Sequence, residues 1–168
     1  AAVRTATALT EFEKRARGVL GDHPVNRERK EAGLAEANAV LTRDPGRCHD
    51  LLPMDRNGET LRVSCISGDS TVRGLATWLD ATMVEVDGMT ANLDTDIDAK
   101  FGAARKILGE NDLVVLHVKG ADIAAHDRRP QDKAAFLERF DQALGRFLEE
   151  ADPPVRIVVG ADHATHSE

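Results

Sequence analysis

The sequence is short of the features that would commit it to an oxidising compartment, a membrane or a nucleic acid. Two cysteines, Cys48 and Cys65, are too few for a disulfide framework and lack the spacing of a metal site, so both read as reduced thiols. No apolar stretch approaches the ~20 residues that span a bilayer, and the opening AAVRTATALT lacks the charged-then-apolar order of a signal peptide. Positive charge is in deficit: 22 Lys and Arg against 29 Asp and Glu leave a net charge of -7. That balance gives no reason to expect binding to nucleic acid or an anionic membrane, and it leaves any phosphate-binding pocket to local arrangement. There is no internal repeat and no low-complexity segment. Together these absences read as a cytoplasmic protein.

What is present suits a soluble globular fold of one domain or slightly more: 168 residues, 42% hydrophobic and 30% charged. The chain has no initiator Met and stops at Glu168, a few residues beyond a candidate ligand pair, and it is expected to be a piece of a larger polypeptide.

The first part predicts an amphipathic helix over 7–20, a short charged helix capped by Asn26, and a strand over 37–41. Residues 44–58, rich in Pro, Gly, Asp and Asn, read as a linker and place a domain boundary near residue 57. After it, strands are expected at 61–66, 82–86, 113–118 and 157–163. Helices are expected between them, the first capped by Ser70, the second by Asp94, and a long third one opened by Pro130 with Leu137, Phe140, Leu144 and Phe147 as its buried stripe. Alternating strands and helices imply an α/β fold with a mostly parallel sheet flanked by helices.

Two strand ends carry the chemistry. DLVVLHVKGADIAAHD (112–127) and IVVGADH (157–163) each place an Asp and a His where a β-branched apolar run stops. Ligands collect beyond the carboxyl ends of strands in open α/β sheets, so the two ends side by side would gather Asp122, His126, Asp162 and His163. Asp122 and His126, four apart, share one face of a helical turn. Alone that spacing is weak, equally an ordinary capping Asp and a packed His. Two such ends in succession, with mixed carboxylate and imidazole donors, suit Mn²⁺ or Zn²⁺.

The stretches HPVNRERKEAGLAEANAVLTR, RVSCISGDSTVRGLA, LDTDIDAK, DLVVLHVKGADIAAHD and VVGADHATH together resemble the archaeal-type cofactor-independent phosphoglycerate mutases of the alkaline phosphatase superfamily. The resemblance implies a phosphatase-like α/β core with an inserted second domain. Residues 1–57 would be the tail of the insert and 58–168 the C-terminal part of the core. It also implies two divalent metal ions, Mn²⁺ first and Zn²⁺, Co²⁺ or Mg²⁺ as alternatives, with Asp122 and His126 on one and Asp162 and His163 on the other. Arg43, Arg73 and Lys119 match basic positions near the substrate's phosphate or carboxylate.

The activity implied is interconversion of 3- and 2-phosphoglycerate through a phosphoserine, without external 2,3-bisphosphoglycerate and with a small phosphorylated substrate as the partner. The family's nucleophile matches nothing in this chain; Ser70, Thr71 and Thr165 read as a cap, a helix residue and a turn residue. The chain departs from the family pattern at Asp44 and Pro45, at Thr90, Ala91 and Asn92, and at Arg128, where the family has glycine-containing turns. Those departures keep open a diverged phosphatase or phosphotransferase, and a catalytically incomplete fragment, as alternative readings.

Overall fold

The computed structural model describes residues 2–42, 46, 54–151 and 154–167. The chain divides into two compact units, Ala1–His49 and Asp50–Glu168.

The first unit is helical. Helix α1 covers Ala2–Gly21, longer at its start than the amphipathic pattern requires, and α2 covers Pro24–Glu31. Asn26 is not the cap of α2. His23 holds that position, its Nδ1 accepting from the Val25 N–H at 3.3 Å, because Pro24 begins the helix where a missing N–H costs nothing. Asn26 is instead buried, and its amide donates to Leu20 O (2.7 Å) and Ala37 O (3.0 Å) while accepting from Ala37 N (2.9 Å). Residues 37–41 form no strand; the Asn26 amide supplies the pairing that a neighbouring strand would have given to Ala37.

The second unit opens on a hairpin of β1 (Asp55–Arg56) and β2 (Glu59–Thr60), whose first strand and turn lie inside what reads as linker. Its turn residues Asn57 and Gly58 have φ of 57° and 84°, the left-handed pair that a two-residue turn with the twist of the strands requires. A three-stranded parallel sheet follows, in the order β4-β3-β5. Strand β3 (Val63–Ile66) is central and buried at every position, whereas β4 (Thr82–Met83) is brief.

Helix α3 (Ser70–Trp78) connects β3 to β4 and is capped by Asp69, one residue before the expected Ser70; the Asp69 carboxylate accepts from Thr71 N and Val72 N at 2.9 and 3.1 Å. Likewise α4 (Ile97–Ile107) is capped by Asp96, while Asp94 accepts from the Thr90 hydroxyl at 2.6 Å. In both places two candidate caps lie within two residues, and the loop's path decides between them.

The core is a cluster of Ile66, Ile97, Phe101, Ala104, Phe136, Ala143 and Phe147. It lies between the sheet and the helices α4 and α6 (Pro130–Glu149). The stripe of α6 is Phe136, Ala143 and Phe147 with Phe140 beside them, while Leu137 is 48% exposed.

In the second unit β4 stops at Met83 rather than 86, and two further strand expectations change. Strand β5 stops at Leu116 and alternates between half-buried and exposed residues, since it is an edge and only one of its faces meets the helices. Residues 154–160 run without sheet pairing, with Val158 and Val159 89% and 66% exposed. An apolar trough separates them from β5, so ladder hydrogen bonds cannot close. The mostly parallel α/β architecture stands, on three strands rather than four.

Candidate metal centre

The loop leaving β5 turns at once into α5 (Gly120–His126). Gly120 is buried, and a Cβ there would lie 2.3 Å from the Phe136 ring, so the close packing of α5 on α6 needs glycine at this point of the Lys-Gly-Ala-Asp run. That packing fixes the helix bearing Asp122 in its first turn and His126 in its last. His126 Nε2 stands 3.4 Å from Asp122 Oδ1, and His163 Nε2 stands 3.2 Å from Asp162 Oδ2. Two ligands bound at about 2.1 Å to one tetrahedral or octahedral ion are separated by about 3.0–3.4 Å, so each pair has the spacing of neighbouring donors on a shared ion.

Thr165 joins the pairs. Its hydroxyl donates to Asp122 Oδ1 at 2.6 Å, and the same oxygen lies 3.2 Å from His163 Nδ1. With the hydroxyl proton committed to Asp122, Nδ1 must be the donor, toward Thr165 Oγ1 and the Ala164 carbonyl (3.3 Å) alike. In the neutral ring the lone pair is then on Nε2, the atom that faces Asp162. Lys133 Nζ donates to Thr165 O at 2.6 Å and ties the segment to α6.

The Asp122 carboxyl is held below the usual carboxylate range, chiefly by the Thr165 hydroxyl, with His126 and Lys119 adding to it against partial burial. Lys119 lies between two acids, 3.5 Å from Asp122 Oδ2 and 3.8 Å from Asp69 Oδ2. Arg73 points elsewhere: its guanidinium donates to Ser67 O at 3.3 Å and pairs with Glu85. Among the described residues no hydrogen bond or ion pair links it to Lys119 or Asp122. Arg43 lies outside the described residues.

Behind these side chains is a buried polar layer that spacing arguments miss. Lys100, fully buried, donates to the carbonyls of Thr90 and His117, both at 3.1 Å, and burial lowers its pKa from the ordinary lysine value. Ser67 Oγ accepts from Asp69 N at 3.1 Å and shares a further hydrogen bond with His117 Nδ1 at 3.0 Å. Burial pushes the His117 pKa down; Asp69 opposes this, while Lys100 and Lys119 reinforce it. Of these residues only the Thr165 position had a visible signal, the D-H-x-T run. Lys100 and His117 sit in sequence like a surface lysine and a strand residue.

The donor chemistry fits a divalent cation, yet each pair brings only two side chains. Among the described residues no three of His, Cys, Asp and Glu converge on one point. The arrangement is two Asp-His pairs bridged by a hydroxyl.

Residues 8–168 match the family described as the Metalloenzyme superfamily. The chain belongs to that family. Membership accords with divalent-metal chemistry, and leaves the metal itself open. The chain is 35% identical over 165 residues to the 2,3-bisphosphoglycerate-independent phosphoglycerate mutase of Picrophilus torridus, covering 98% of this chain and 40% of that protein. It is 38% identical over 168 residues to the enzyme of the same name from Methanopyrus kandleri, covering 98% and 39%. The chain therefore spans about 40% of the length of these relatives.

Among solved structures, a protein from Pyrococcus horikoshii superposes with a TM-score of 0.75 at 32% identity, over 89% of this chain and 39% of that one. The cofactor-independent phosphoglycerate mutase of Thermoplasma acidophilum shares the fold, with a TM-score of 0.51 at 24% identity, over 88% and 37%. Among the described residues no helix is long and apolar enough to cross a membrane.

Proposed function

We propose that this chain is the C-terminal metal-binding portion of a phosphoglycerate mutase that interconverts 3- and 2-phosphoglycerate without external 2,3-bisphosphoglycerate. The observation that carries the reading is the Asp122–Thr165–His163 hydrogen-bond chain, which brings a carboxylate-imidazole pair from α5 beside another from residues 162–163. Similarity to named mutases over 98% of the chain supports the same reading. In this reading Asp122 with His126, and Asp162 with His163, hold two divalent ions, Mn²⁺ by preference. The metals would supply charge neutralisation to a phosphoryl group and lower the pKa of an attacking hydroxyl.

The chain's own residues would orient those ligands: Thr165 and Asp122 fix each other, the Nδ1–H of His163 is occupied so that Nε2 faces outward, and Lys119 offers a point charge to a phosphate or carboxylate oxygen. Arg73 would reach substrate only by releasing Glu85, and Arg43 would contribute from the tail of an inserted domain, residues 1–57. The attacking hydroxyl belongs to another part of the polypeptide.

The full-length polypeptide with Mn²⁺ should convert 3-phosphoglycerate in an enolase-coupled assay; absence of turnover there would sink the mutase assignment. The 168-residue chain alone should be inactive, and elemental analysis should find less than one tightly held metal per chain. A second reading is favoured by Arg128, which takes a φ of 55° where the resemblance puts glycine. A changed turn beside His126 fits a phosphatase or phosphotransferase acting on another phosphorylated metabolite. Hydrolysis of generic phosphomonoesters without mutase turnover would select it.

A further inference from the structure

Lys100 stands where a lysine is costly. It is fully buried, it lies in the first turn of α4, where the helix dipole disfavours a cation, and among the described residues no carboxylate pairs with it. Its partners are backbone, the carbonyls of Thr90 and His117. One belongs to the loop between β4 and α4 and the other directly follows β5, so both lie at the carboxyl end of the parallel sheet, where ligands of open α/β folds collect. The loop over residues 88–96 is itself built to hold one shape. Thr90 N donates to the buried Thr95 hydroxyl at 3.1 Å, Asn92 N to the Thr90 hydroxyl at 3.2 Å, and Asp96 N to Gly88 O at 3.0 Å. Its tip is pressed onto the turn after β3: a Cβ on Gly68 would lie 2.4 Å from Thr90 C and 2.8 Å from Ala91 N. Gly68 adjoins Asp69, whose carboxylate faces Lys119, and Lys119 follows His117 by two residues.

We propose that Lys100 is a positioning residue: its ammonium clamps the 88–96 loop to the end of β5, and the turn Thr90-Ala91-Asn92 thereby becomes a fixed wall of the pocket in which Lys119 meets a phosphate oxygen. The clamp acts on geometry. One donor group satisfies two carbonyls that no strand pairing reaches, and the close approach at Gly68 leaves the turn no room to move inward. Lys119 is then held from both sides, by the backbone that Lys100 fixes at His117 and by the Asp69 carboxylate beside Gly68. The inference rests on the reading of Lys119 as an anion contact, and is independent of which phosphorylated molecule the pocket takes.

Two variants move the turn by different routes: Lys100→Met removes the clamp, whereas Gly68→Ala pushes the turn away and leaves the ammonium in place. Hydrogen exchange on the 168-residue chain should show the amides of Thr90, Thr95 and Asp96 exchanging on the order of 10-fold faster in either variant, with those of α6 unchanged. Inorganic phosphate titrated into the full-length polypeptide loaded with Mn²⁺ should bind with a Kd raised on the order of 10-fold in each variant, at unchanged metal content. The double variant should lose little more, because both changes act on one turn. Unchanged phosphate affinity in either folded variant would overturn the proposal; a loss confined to Lys100→Met would assign the effect to buried charge instead of position. A parent polypeptide that takes up no phosphate, or variants that lose metal along with phosphate, would overturn it as well. Should Lys100→Met fail to fold, Gly68→Ala alone decides. The enolase-coupled assay reports separately on the mutase reading, since phosphate binding that follows this pattern without turnover refutes that reading and leaves the clamp standing.

Discussion

Arg128 sits at φ 55° in the turn between α5 and α6, a region where an L-residue carries a steric cost of about 1 kcal/mol and glycine does not. Its position directly after His126 and Asp127 means that the cost is borne at the edge of the candidate site. Arg128→Gly should therefore stabilise the chain by about 0.5–1 kcal/mol, read from the midpoint of denaturant unfolding. Gly120 has the opposite constraint. A methyl group there meets the Phe136 ring at 2.3 Å, and Phe136 is itself only 2% exposed, so it has nowhere to retreat. Gly120→Ala should destabilise by about 1–3 kcal/mol, and Phe136→Leu in the same background should recover part of that loss by making room.

Within the first unit, one side chain takes the place of a strand. The Asn26 amide ties the end of α1 to residue 37 by bonds of 2.7, 3.0 and 2.9 Å, and the residue is 3% exposed. Asn26→Ala removes every one of those bonds, so about 1 kcal/mol or somewhat more should be lost from this unit. Native-state hydrogen exchange should show faster opening of α2 with β3 unaffected, because the units are separately compact. In the second unit Lys100 has a similar role, fastening the carbonyls of Thr90 and His117. These brackets escaped a reading based on period and caps. Asn26 is an ordinary cap residue and Lys100 an ordinary helix-surface residue until the chain returns across them.

For the molecule as a whole, the buried polar layer sets an acid dependence. The folded His117 pKa lies below its ordinary 6.5, first because of burial and then because of Lys100 and Lys119. As pH falls through 6.5 the unfolded imidazole binds a proton that the folded one resists, so the unfolded state holds more protons and stability declines. The denaturation midpoint should drop between pH 7 and pH 5, and His117→Gln, which keeps a hydrogen-bonding partner for Ser67 without the titration, should flatten that drop. Asp69, held below the carboxylate range by the N–H groups of Thr71 and Val72 and by Lys119 despite its burial, adds a further loss below about pH 4.

The residues 122, 126, 162 and 163 could be picked out in sequence because an apolar β-branched run ending in Asp and His is a local pattern. The α/β alternation was legible for the same reason: helix and strand periods are properties of neighbours along the chain. The order β4-β3-β5, the unpaired run at 155–160 and the choice of Asp69 over Ser70 as a cap were not, since each depends on what lies alongside in space. Nor could spacing show that Thr165 would meet Asp122, 43 positions away, and link the two Asp-His pairs. Sequence by itself determined which groups could bind a metal. Only the tertiary structure decided that the pairs come together, because that is a distance between side chains remote in sequence, spanned by the Thr165 hydroxyl and its segment's tie to Lys133.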